Sequence, residues 1–303
     1  MTLGLENLNK IDSIIDLIGN TPLIKLNKFS ELSTDKNIYI KAEWFNPGGS
    51  IKDRAALCMI KEGIKAGKLT KEKTIMDSSS GNTAIAYAMI GSALGFKVEL
   101  VTPENINIER KKTLEAYGAK IIYSSPFEGS DGAILEARKL AKEFSDKYFM
   151  PDQYNNTANP LAHYTTTGPE IWEQTKGKIT HLISGIGTSG TVMGTGRYLK
   201  SMNKEIKIVG VQPDEPLHGL EGLKHIPSSI VPGIYNEQEL DILYNANTEE
   251  SYIIMEKLMQ LEGMFVGHSG GAVVLSALEI LKETDIANIV CVVPDGGYRY
   301  LSG

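Results

Sequence analysis

Apolar positions along this chain alternate between two patterns. Short apolar runs at 74–76, 97–101, 120–123, 181–184, 206–211 and 289–293 read as strands, and the segments between them carry helical spacing. Residues 52–66 place Leu57, Ile60 and Ile64 on one face and stop at Gly67. Further helices are predicted from a Ser-rich loop to Leu94, closed by Gly95, over 108–117 before Gly118, and near 131–144. Others follow at 192–199, 249–261 and 271–281. Successive strands joined by helices of this length pair in parallel through right-handed crossovers. The polar, Asn-rich break at 152–160 marks the passage to a second unit. The fold class is therefore α/β, as two open units with a cleft between them. Residues 212–236, with Pro213, Pro216, Pro227 and Pro232, lack periodicity and read as a long functional loop.

Composition acts mainly by exclusion. The 303 residues carry 31 Lys+Arg against 37 Asp+Glu, a net charge of -6 spread along the chain, which leaves no basic footprint for nucleic acid. The run Arg110-Lys111-Lys112, followed by Glu115, reads as a solvated helix face. No apolar run approaches the roughly 18 residues of a membrane span. Residues 1–7 lack the basic start and apolar core of a signal peptide, so a cytoplasmic location is expected. Cys58 and Cys291 lie in apolar settings with no Cys or His at metal-ligand spacing. They read as reduced core thiols, and no metal is expected.

Four loops carry candidate chemistry. In Asn46-Pro47-Gly48-Gly49-Ser50-Ile51-Lys52-Asp53-Arg54, a turn fixed by proline and freed by glycine sets Lys52 at the start of a helix. There its amine could meet an aldehyde; an ordinary solvated lysine satisfies the same pattern. Ser78-Ser79-Ser80-Gly81-Asn82-Thr83 runs from strand to helix and offers hydroxyls and amides to an anion such as a carboxylate. A Ser-rich helix cap would look the same. Gly185-Ile186-Gly187-Thr188-Ser189-Gly190-Thr191, again strand to helix, suits a phosphate. It lacks the acidic residue that a dinucleotide site would place about twenty residues on. In Gly267-His268-Ser269-Gly270-Gly271, Ser269 either meets a ring nitrogen or caps a helix. Together an amine, a carboxylate site, a phosphate site and a ring-nitrogen partner describe a pyridoxal phosphate site.

These loops, with Ile18-Gly19-Asn20-Thr21-Pro22-Leu23 near one end and Pro294-Asp295-Gly296-Gly297-Tyr298-Arg299-Tyr300-Leu301 near the other, resemble the cysteine synthases (O-acetylserine sulfhydrylases). That family belongs to the cysteine synthase/cystathionine β-synthase group of pyridoxal phosphate enzymes. The resemblance implies the tryptophan-synthase-β-like fold, fold type II. Its smaller mobile domain would span 43–150, carrying Lys52 and the carboxylate loop. The larger would comprise 1–42 and 151–303, with the phosphate and ring-nitrogen loops. It implies that Lys52 binds pyridoxal 5'-phosphate as a Schiff base and that Asn82 meets the ring hydroxyl. Gly187, Thr188, Ser189, Gly190 and Thr191 would hold the phosphate, and Ser269 the pyridine nitrogen. Ser79, Ser80, Asn82, Thr83 and Gln153 would take the substrate carboxylate. The implied reaction is β-replacement, forming L-cysteine from an O-activated L-serine and sulfide or a thiol through an α-aminoacrylate. A homodimer is implied as well.

This chain departs from the usual pattern in or beside the site. Ser79 stands where Thr is usual, Ala84 where Gly is usual, and Gly270 in place of a second Ser. Ser189 replaces a Gly, which is tolerable if φ there is negative. Tyr154 stands where Phe is common. The loop from Leu220 through Glu221, Gly222, Leu223, Lys224 and His225 to Pro227 is similar to the B-type enzymes. Some of those take O-phosphoserine with a basic residue near Lys224, so Lys224 or His225 would favour an anionic leaving group. A solvated surface lysine is the plain alternative. His163 and His181 are expected to be structural, and Asp295 and Arg299 to organise the C-terminal loop. Three other readings stay open. One is a cysteine-consuming lyase releasing hydrogen sulfide, with serine, lanthionine or cystathionine as product. The others are a dehydratase and a scaffold that has lost the chemistry.

Overall fold

The computed structural model describes residues 11–301, so the leader reading at 1–7 lies outside the described residues. The chain builds two sheets. One uses β3 (Thr74–Ser78), β4 (Val98–Pro103), β5 (Lys120–Ser124) and β6 (Tyr148–Phe149), in the order β5-β4-β3-β6 and parallel throughout. The other uses β1 (Leu23–Lys25), β2 (Lys36–Ala42), β7 (His181–Gly185), β8 (Lys207–Pro213), β9 (Ile242–Ala246) and β10 (Ala287–Val293). Its order is β1-β2-β10-β7-β8-β9, with only β1 antiparallel. Helices α1 (Lys52–Lys65), α2 (Asn82–Leu94), α3 (Ile108–Ala116) and α4 (Gly129–Glu143) accompany the smaller sheet. The remaining helices are α5 (Ala158–Ala162), α6 (Gly168–Gln174), α7 (Gly190–Met202), α8 (Thr248–Glu262) and α9 (His268–Lys282). This is the α/β alternation read from the sequence.

Several expectations need correction. Helix α1 buries Ala55, Ala56, Met59, Ile60 and Gly63, while Ile64 is exposed. The helix packs on α2 and α5 through small residues, and a Cβ at Gly63 would enter the Phe149 ring. Contact distance, more than side-chain size, selects that face. Strands β1, β2, β6 and β9 were not foreseen. The Asn-rich break ends sooner than expected, because α5 begins at Ala158 with Pro160 in its first turn, where a missing N–H is harmless. A π-helical turn, His163–Thr167, then joins α5 to α6 and buries His163. Residues 214–236 form the long loop expected, with one short turn at Ile226–Ser228. Both cysteines are free: Cys291 is buried, and burial pushes the half-buried Cys58 thiol up to about 11. No helix among the described residues is long and apolar enough to cross a membrane.

A buried ionic cluster ties the N-terminal segment to α1 and α6. The Arg54 guanidinium donates Nε to Glu43 Oε2 at 2.7 Å and Nη2 to Glu43 Oε1 at 2.9 Å. It also donates Nη1 and Nη2 to the two Glu170 oxygens at 2.6 and 2.7 Å. Lys41, fully buried in β2, donates to the Thr21 carbonyl (2.7 Å), Glu170 (2.6 Å) and Gln174 (2.9 Å). Burial alone would raise the Glu170 pKa, but Arg54 and Lys41 overcome it and hold the carboxyl down to about 2. Such a cluster adds little net stability, yet removing one partner strands a buried charge. Glu43→Ala is therefore expected to lower unfolding stability by about 3–5 kcal/mol. Urea denaturation measures it, and a loss below about 1 kcal/mol would show that Arg54 does not depend on Glu43.

Candidate active site

Parallel strands end at one edge, and the loops leaving β3, β7 and β10 open on a common cleft, as open α/β sheets dictate. Two adjoining cavities occupy it, of about 230 and 40 Å³. Lys52, Asn82 and Gly187 line both. Ser79, Ser80, Thr83, Gln153, Thr188 and Lys224 face the larger, whereas Thr191 and Ser269 face the smaller. Ser189 and Gly190 line neither. Ser189 is buried at the N-cap of α7, and a Cβ on Gly190 would strike the Asn159 carboxamide.

Lys52 is the first residue of α1, held by the Ile51 N–H donating to the Pro294 carbonyl and by Ser50 beneath it. Among the described residues its amine has no hydrogen-bond partner, and Asp295 is the only charged group that acts on it appreciably. Burial lowers its pKa, and Asp295 offsets part of that. Asp295 is itself buried and pushed up by desolvation, although Tyr300 (2.5 Å) and Asn82 (2.6 Å) donate to its Oδ2. The Asn82 carboxamide is gripped at both ends, because Arg299 donates to its oxygen at 2.7 Å. A second Nδ2 hydrogen remains for the cavity. Arg299 also donates to the Gly48 carbonyl, closing the Pro-Gly-Gly turn.

The Ser-rich loop after β3 turns donors toward the larger cavity. Ser79 Oγ accepts from the Gly81 (3.2 Å) and Ala84 (3.3 Å) N–H groups, so its own hydrogen is left for the cavity. Thr83 donates to Gln153 Oε1 at 2.8 Å, and Gln153 Nε2 donates to the Ser78 carbonyl at 3.1 Å. The phosphate loop lies against 219–223, and a Cβ on Gly187 would run into the Gly222 carbonyl. Ser189 takes φ +71°, against the negative value its tolerance required. Left-handed backbone at a non-glycine residue is strained, and its buried hydroxyl has no partner among the described residues. Asn159, missed in the sequence, donates to Thr188 Oγ1 (3.0 Å) and the Gln153 carbonyl (2.8 Å), joining the two loops. The Asn-rich break around it was its only signal.

Arg110 is not solvated as expected. It lines the larger cavity and pairs with Glu221 at 2.6 Å. Lys224 faces the same cavity but pairs with Asp131 at 3.0 Å and lies over the Tyr154 ring. His225 bonds Ser228 and does not line the site. His163 bonds Thr167 (2.9 Å) and Thr191 (3.4 Å), and burial pushes its pKa well down, consistent with a structural role. No cluster of metal-ligating side chains occurs among the described residues.

An unpartnered amine, a helix N-terminus edged by Thr188 and Thr191, an amide at Asn82 and the Ser269 hydroxyl surround one space. That set fits a phosphorylated pyridine aldehyde, and the orphaned Lys52 amine is the observation that makes it specific. Residues 14–295 match the family model described as pyridoxal-phosphate dependent enzyme. A cysteine synthase of Aquifex aeolicus is 48% identical over 96% of this chain and 91% of its own length. Cysteine synthase B of Salmonella typhimurium is 40% identical over 96% of this chain and 95% of its own. The crystal structure of cysteine synthase from Entamoeba histolytica superposes with a TM-score of 0.93 at 33% identity, covering all of this chain and 92% of that one. The chain belongs to the pyridoxal-phosphate dependent enzyme family.

Proposed function

We propose that this enzyme makes L-cysteine by β-replacement, from an O-activated L-serine such as O-acetylserine and sulfide. One observation carries the reading: among the described residues, the unpartnered Lys52 amine stands where a carboxylate-type pocket and a phosphate-type pocket meet. The names of the relatives support it. Among solved structures, a hydrogen sulfide-producing enzyme of Fusobacterium nucleatum is also similar (TM-score 0.90, 35% identity, 96% of this chain and all of that one).

Bound pyridoxal phosphate supplies the electron sink that lets the β-substituent leave and a nucleophile add. The rest falls to the chain's own residues. Lys52 would anchor the cofactor, and its Nζ, with a pKa lowered by burial, would be suited to take the substrate Cα proton near neutral pH. Thr188, Thr191 and the α7 N-terminus would hold the phosphate, with Ser189 and Gly190 shaping the turn. Ser269 would offer a neutral hydroxyl to the ring nitrogen, and Asn82 would meet the ring hydroxyl. Ser79 and Ser80 donate to the substrate carboxylate, while Thr83 and Gln153 brace the loop.

Lys52→Ala is expected to abolish visible cofactor absorbance and borohydride-stable labelling. Loss of proton transfer alone lowers kcat by roughly 10²–10⁴-fold. Labelling that persists on another side chain would refute the assignment. Mixing the yellow wild type separately with O-acetylserine, O-phosphoserine, serine and cysteine, then assaying cysteine and sulfide, separates synthesis from degradation.

Lys224 is proposed to favour an anionic leaving group even though Asp131 partly neutralises it. Lys224→Ala should lower kcat/KM for O-phosphoserine about fivefold, the ~1 kcal/mol of one partly exposed charged contact. O-acetylserine should stay within about twofold. Equal losses with both donors would exclude selection by Lys224.

We also infer a cytoplasmic homodimer in which residues 43–150 close over the cleft against 1–42 and 151–303. The strands of the two sheets divide along those ranges, and Phe45, Tyr298 and Leu301 leave apolar surface exposed. Solution scattering tests both parts: a dimer mass and a smaller radius on adding amino acid are expected. A monomer mass or an unchanged radius would contradict them.

A further inference from the structure

Asp77 is the penultimate residue of β3, fully buried, and lines neither cavity. Three donors converge on it. Its Oδ1 accepts the Ser78 N–H at 2.8 Å. Its Oδ2 accepts the Tyr87 hydroxyl at 2.9 Å and the Gln153 N–H at 3.3 Å. Among the described residues it makes no ion pair, and the charge of Asp152 raises its pKa further. Burial pushes its pKa up to about 7 against these hydrogen bonds.

An isolated buried carboxyl of this kind opposes folding. Its pKa is raised on folding, so stability falls as pH climbs from its ordinary value of 3.8 toward 7. Core packing alone would favour an apolar side chain here. What the carboxyl supplies is geometry. Ser78 ends β3 and opens the carboxylate loop, while Gln153 arrives from the segment after β6. Those two backbones belong to different stretches of chain, and Asp77 accepts an N–H from each. Gln153 then bonds the Ser78 carbonyl and Thr83, so the wall facing the larger cavity is assembled on Asp77.

Resting on the reading of that cavity as an amino-acid site, we propose that Asp77 is a positioning residue for the substrate α-carboxylate. It registers the Ser78 and Gln153 segments so that the Ser79 and Ser80 hydroxyls and the α2 N-terminal amides point at one anion. Asparagine cannot replace it. With one oxygen and an NH₂, it turns one of the three converging donors into a donor–donor clash. Misplacing a receptor by a fraction of an ångström weakens binding while leaving Lys52 and its cofactor in place.

The test uses holoenzyme carrying Asp77→Asn and, separately, Tyr87→Phe, which removes one donor and keeps the carboxyl. Binding of L-alanine, which has the α-carboxylate and amine but no leaving group, is followed by calorimetry. The KM and kcat for O-acetylserine and the visible cofactor absorbance are measured alongside. Asp77→Asn should raise the L-alanine Kd and the KM about tenfold, or ~1.4 kcal/mol. Its kcat and absorbance should stay within about twofold. Tyr87→Phe should raise Kd two- to threefold, and it carries the test if Asp77→Asn does not fold. Wild-type Kd in Asp77→Asn, wild-type Kd in Tyr87→Phe when that variant stands alone, or a loss confined to kcat and absorbance overturns the proposal. A wild type that binds L-alanine yet makes no cysteine refutes the functional reading and leaves Asp77 standing. A wild type that binds no amino acid overturns both.

Discussion

Arg54 fixes the frame within which everything else in the cleft is placed. It lies two residues after Lys52 on α1, and its planar fork engages Glu43 and Glu170 with paired hydrogen bonds. A guanidinium held on two sides has little freedom to rotate, so the first turn of α1 has little freedom either. Glu43 follows β2 and Glu170 lies in α6, so the amine at Lys52 is referenced to the six-stranded sheet even though its helix packs on α2. The Ile18-Gly19-Asn20-Thr21 segment joins the same cluster through Thr21 Oγ1 and the Asn20 N–H. A motif far from the cavity in sequence thereby helps to aim the reactive nitrogen.

The second constraint is electrostatic. Asp53, Asp77 and Asp295 all have raised pKa values with desolvation as the leading cause, the first two reaching about 7. Asp295 is the one of the three that lines the cleft, and the same desolvation there lowers the Lys52 amine. Opposed charge pairs at the mouth do different work. Arg110 on α3 reaches Glu221, and Asp131 on α4 reaches Lys224, so both pairs join the small-sheet helices to the 219–230 loop. Partly exposed pairs of this kind each add little net stability.

Much of this was legible in the residues. The alternation of strand-like and helical periods specified parallel α/β sheets. Glycines at 67, 95 and 118 marked helix ends because they adopt positive φ, and each does. The loops around Lys52, Ser79, Gly187 and Ser269 were readable because their composition is chemical: hydroxyls, glycines and one lysine at strand-to-helix turns. Sequence patterns failed where partners come from afar. Lys41 in a buried strand, Arg110 on an apparently solvated helix and Asn159 in a polar break look like surface residues until Glu170, Glu221 and Thr188 are placed beside them.

By itself, then, the order of residues determined the fold class, the positions of the turns and the kind of chemistry each turn can support, because periodicity, glycine and hydroxyl content act locally. Tertiary structure alone decided which face of α1 is buried, that Ser189 occupies left-handed backbone, and that Lys224 meets Asp131. It also decided that Asp77 ties the end of its own strand to the distant Gln153 backbone. Those outcomes depend on desolvation and on hydrogen-bond partners separated by dozens to more than a hundred residues, and no local pattern encodes that distance.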